Sequence, residues 1–81
     1  MEKERKEQLD AARREFRKAR GYVRAVLFSE NDEYIAMTEA ERKSAEGRRK
    51  ADIIDMLDDA VDEISCLIDT LEECKKEAVV Q

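Results

Sequence analysis

Two clusters of side chains sit at spacings that could do chemistry. Asp55, Asp58, Asp59, Asp62 and Glu63 crowd one short stretch with carboxylates, and Arg13, Arg17, Arg20 and Arg24 recur three and four residues apart. Carboxylates on facing helices can hold a divalent ion. Helical two-metal sites, however, pair glutamate with a histidine three residues on, and the chain has no histidine. The glycine-centred loop of a calcium site is also missing. The acidic cluster therefore reads as a solvated helix face, and no metal or cofactor is expected.

Nucleophiles fare no better. Ser29, Ser44 and Ser65 have no histidine to activate them. Cys66 and Cys74 lie two turns apart on one helix, about 12 Å at helical rise, too far for a disulfide, and their spacing matches no zinc pattern. No catalytic residues are expected, so the chain reads as a non-enzyme. Free thiols suggest a reducing setting and a cytoplasmic location.

The arginines admit two readings. A guanidinium row can track phosphates, which would make the chain a nucleic-acid-binding regulator. The same row can pair with an acidic strip on another helix, and no aromatic stacking surface accompanies it. The second reading is favoured and the first kept as the alternative. Tyr22, Phe28, Tyr34, Ile35 and Met37 gather near the expected turn, where they form either a partner patch or the cap of one bundle end.

The elements that must carry these residues are helical. Charged residues make up 46% of the 81-residue chain and aromatics 5%, with no proline and two glycines; that profile belongs to long helices or coiled coils. No apolar run approaches the roughly 18 residues of a membrane span. Ile54, Leu57, Val61, Ile64, Ile68 and Leu71 form a heptad seam on a helix expected over 53–78. Leu9, Ala12, Phe16, Ala19, Val23 and Val26 form a second seam on a helix over 2–28. Ser29–Glu33 is rich in turn formers, so residues 29–52 are expected to be a turn and a polar, partly helical connector. Within it, Thr38 and Glu41 spell a capping box, and a break at Gly47 is left open.

Antiparallel packing aligns the two seams. Pairing Leu9 with Leu71, Phe16 with Ile64, Val23 with Leu57 and Val26 with Ile54 makes every pair of numbers total 80, and places the turn near residue 40. It also brings the basic strip against the acidic one. Ile53, Ala60 and Leu67 widen the apolar stripe of the last helix beyond what one partner needs, a feature of bundles. The expectation is thus one all-α domain over 1–81. It is a long antiparallel helical hairpin or coiled coil that dimerises as a four-helix bundle. Its function would be protein–protein interaction or assembly, as an accessory or regulatory protein, with itself and a protein partner as ligands. The net charge of −5 argues against bulk attraction to nucleic acid.

Overall fold

The computed structural model describes residues 2–80, with side chains described through Lys76. Three helices follow one another: α1 (Lys3–Ala36), α2 (Glu39–Lys43) and α3 (Ala45–Val80). Helices α1 and α3 pack side by side as a hairpin, and no strand occurs among the described residues. The hairpin measures 59 × 17 × 14 Å, so it is one layer of helices with both broad faces open. A single layer has nothing above it to close a core. Among the described residues the buried apolar side chains are Val61 and Ile68, at 7% and 5% exposure.

The α3 seam lies where its heptads place it. Ile54, Leu57, Val61, Ile64, Ile68 and Leu71 all turn toward α1. The α1 seam is rotated from the expected one. Leu9, Phe16 and Val23 are half-buried, as is Ala12, but beyond it their companions are Arg13, Arg20, Leu27 and Tyr34 rather than Ala19 and Val26. Val26 stays 51% exposed and Ala19 is exposed too. Both choices keep a seven-residue repeat. What decides between them is that α1 runs on past residue 28: only the strip through Leu27 and Tyr34 continues as side chains able to cover α3, and the arginines pair with α3 acids and hydroxyls from within it.

Residues 29–33 do not end the first helix. The helical cost of Ser, Asn and Asp is a few tenths of a kcal/mol each, and tertiary contacts exceed it. Lys50 of α3 reaches Glu30 at 2.8 Å and Glu33 at 2.6 Å, while Leu27 and Tyr34 extend the seam on either side. The chain reverses instead over Met37–Ser44, so the connector is much shorter than 29–52 and the last helix starts well before residue 53.

Two hydroxyl caps make that reversal. Thr38 accepts from the Glu41 amide, and the Glu41 carboxylate accepts from the Thr38 amide at 2.9 Å, the expected capping box. Ser44 then ends α2 and caps α3, its Oγ accepting from the Gly47 amide at 3.2 Å. α1 has no basic residue in its last turn. Arg42 of α2 supplies the cation instead, donating to the carbonyls of Tyr34 and Ile35 at 3.3 and 3.1 Å.

Gly47 does not break α3. It lies in the first turn, buried, where a Cβ would run into the backbone carbonyls of Glu41 and Arg42. No described residue has positive φ. The glycine is needed for close approach of α2 to α3, not for a left-handed turn.

Candidate interaction surface

The hairpin has two unlike edges, because residues beside the seam repeat every seven positions and like strips meet in an antiparallel pair. One edge is polar. Asp10 accepts from Lys75 at 2.5 Å, Arg13 donates to Glu72 at 2.5 Å, and Arg20 donates to Ser65 at 3.0 Å. Each of these pairs of numbers (10 and 75, 13 and 72, 20 and 65) totals 85, while Glu30 and Glu33 with Lys50 total 80 and 83. The crossing ladder thus closes on residues in α2, near the expected turn, and the pairing of Phe16 with Ile64 falls at the lower bound of its range.

The polar edge carries its own electrostatics. The hydrogen bond from Lys75, joined by Arg13, holds the Asp10 carboxyl below its ordinary value. The Thr38 amide does the same for Glu41. Hydrogen bonds to Glu30 and Glu33 push the Lys50 ammonium upward. Arg13 is the most enclosed of the ion-paired groups, its side chain 14% exposed. Its Nε is buried without a hydrogen-bond partner among the described residues.

The other edge is apolar. Ala12, Ala19 and Val26 of α1 form one column, and Ile53, Ala60 and Leu67 of α3, continued by exposed Cys74, form its neighbour. The alanines and valine expected in the seam are therefore not wasted: the rotation of α1 moves them out to this edge. Ile53 and Leu67 are 42% and 47% exposed. Ala19 and Val26 are exposed as well, while Ala12 and Ala60 are half-buried.

The remaining candidates scatter. Of the aromatic patch, Tyr34 and Met37 turn inward, whereas Phe28 and Ile35 share an outward strip and Tyr22 lies on a different one. Tyr22, Phe28, Tyr34 and Ile35 are spread round α1, because a helix rotates 100° per residue, and Met37 lies just past its end. The arginine row is split too. Arg13 and Arg20 are taken up by α3, and only Arg17 and Arg24 remain exposed. The acids Asp55, Asp58, Asp59, Asp62 and Glu63 are all exposed, and no three metal-capable side chains converge among the described residues. Sequence periodicity missed Leu27, Arg13 and Arg20 as seam residues; the seven-residue spacing of Arg13, Arg20, Leu27 and Tyr34 was the available signal. No described helix is long and apolar enough to cross a membrane. No family model matches the chain, and neither does any curated protein or solved structure.

Proposed function

We propose that this chain is a small non-enzymatic assembly module whose hairpin is half of a four-helix bundle, completed by a second copy. The observation that carries this reading is the second apolar strip, built jointly by Ala12, Ala19 and Val26 and by Ile53, Ala60 and Leu67 on one edge. A hairpin of one layer with two buried side chains is poorly closed for its size. Docking this edge against another helical layer would bury the strip and turn the half-buried seam into a core.

The test is substitution on the strip compared with substitution elsewhere. Leu67→Glu with Val26→Glu should lower the solution mass to that of one chain. Arg17→Glu, on the polar edge, should leave the mass unchanged. A double variant that keeps the wild-type mass would remove the strip from any role in assembly. The nucleic-acid alternative would rest on Arg17 and Arg24, the two arginines of the row that stay exposed.

A further inference from the structure

We infer, resting on the assembly reading above, that two copies join head to head about a two-fold axis parallel to the helices, so that each α1 lies beside the partner's α3. Two ways of stacking the apolar edges are compatible with two-fold symmetry. With the axis along the hairpin, the turns sit at the same end and unlike helices are neighbours across the interface. With the axis across the hairpin, the turns sit at opposite ends, α1 meets α1 and α3 meets α3.

Side-chain size separates the two. The α1 column is small (Ala12, Ala19, then Val26), and the α3 column alternates large with small (Ile53, Ala60, Leu67). An axis along the hairpin leaves every residue at its own height. Heights that match within the chain, where cross-helix pairs total between 80 and 85, then also match between copies. Leu67 falls between Ala12 and Ala19 of the second copy, and the small Ala60 falls between Ala19 and Val26. Large side chains meet small ones, as interdigitated layers require. The crossed arrangement stacks the alanine column on itself and leaves a gap there, while on α3, with the axis at the height of Ala60, Ile53 and Leu67 of opposite copies crowd each other.

Charge points the same way. Between residues 51 and 74 the chain has nine Asp and Glu and no Lys or Arg; between residues 2 and 28 it has nine Lys and Arg against five Asp and Glu. Placing α3 beside α3 sets two strongly acidic helices in contact at about 10 Å between axes, comparable to the roughly 8 Å screening length at physiological salt. The head-to-head arrangement flanks each acidic α3 with two basic α1 helices and puts the acidic helices on the diagonal. Like-charge avoidance of this kind selects among otherwise similar helix pairings.

Spin labels at the turn distinguish the arrangements. Ala40→Cys, exposed in α2, is labelled in a chain carrying Cys66→Ser and Cys74→Ala, with Lys43→Cys as a second label site should the first disturb α2. Pulsed dipolar spectroscopy and light scattering are read on the same sample. A dimeric mass with a label separation of roughly 20–30 Å, the diagonal of a bundle with sides of about 8–10 Å plus two label arms, is the expected result. A dimeric mass with a separation near the 59 Å length of the hairpin overturns the head-to-head arrangement and leaves the assembly reading standing. A one-chain mass with no dipolar signal overturns both, and gives the strip to a different partner.

Discussion

Arg13 donates to Glu72 at 2.5 Å across the hairpin from a position inside the seam, where an apolar side chain would be the ordinary occupant. Two elements of the chain's specificity meet in this pair. It fixes the antiparallel alignment of α1 on α3, and it puts an arginine where packing alone would favour leucine. A polar residue at one core position specifies register at some cost in stability. Replacing Glu72 by Ala leaves Arg13 with Asp10 alone, at 3.3 Å, and should destabilise by about 1–3 kcal/mol. Replacing Arg13 by Met removes the unsatisfied Nε with the charge and should be neutral or stabilising, within about 1 kcal/mol. Urea unfolding of both variants checks the contrast. A loss above about 2 kcal/mol for Arg13→Met would show that the ion pair adds net stability.

The two glycines should respond with opposite signs. Gly21 is exposed in mid-helix with nothing within 4 Å of an added Cβ, so Gly21→Ala should stabilise by about 0.5–1 kcal/mol. Gly47 has helical φ as well, yet a Cβ there meets the Glu41 and Arg42 carbonyls. Gly47→Ala should destabilise by about 1–3 kcal/mol as α2 is pushed off α3. Thermal melts of the two variants, compared with wild type, read the signs directly.

The caps at the reversal should contribute separately. Thr38→Ala removes the acceptor of the Glu41 amide and Ser44→Ala that of the Gly47 amide; each should cost about 1 kcal/mol. Both caps serve one turn, so the double variant should depart from additivity. Additive losses in a double-mutant cycle would mean the two corners of the turn fold independently.

Acid and base should weaken the hairpin from opposite ends of the pH scale. The Asp10 and Glu41 carboxyls lie below their ordinary values in the folded chain, through hydrogen bonds from Lys75 and from the Thr38 amide respectively. Their contribution is present above the unfolded carboxyl range, near pH 4, and is lost as pH falls through the lower folded values. Lys50 runs the other way. Its folded value is raised by Glu30 and Glu33, so its contribution is complete below the ordinary lysine value of about 10.4 and is lost as pH rises beyond it. Melting temperature against pH should fall off below about pH 4 and above about pH 10. Asp10→Asn should flatten the acid side, and Lys50→Met the alkaline side.

Much of the hairpin was legible because heptads survive context. The α3 seam from Ile54 to Leu71 has six large apolar residues against the three of the strip beside it, Ile53, Ala60 and Leu67, so its inward face was determined. Thr38 and Glu41 were equally plain, since a capping box is a local hydrogen-bond pattern. The α1 face was not, because two strips of similar quality compete there. Ala12, Ala19 and Val26 look apolar, while Arg13 and Arg20 look exposed, and only cross-helix partners such as Glu72 and Ser65 make arginine acceptable in a seam. Ser29–Glu33 misled for a related reason: Lys50, distant in sequence, pairs with Glu30 and Glu33 and supports the helix despite Ser29, Asn31 and Asp32. Of the interaction surface, Ile53, Ala60 and Leu67 were visible as excess width on α3; the α1 half of the strip became visible only when α1 proved to be rotated.

The most direct measurement is the molar mass of the unaltered chain by sedimentation equilibrium over a range of concentrations near and above about 10 μM. A mass approaching twice the 9.4 kDa of one chain, reversible on dilution, is the predicted result. A mass that stays at 9.4 kDa throughout, with full helicity, would contradict self-assembly through the exposed apolar edge.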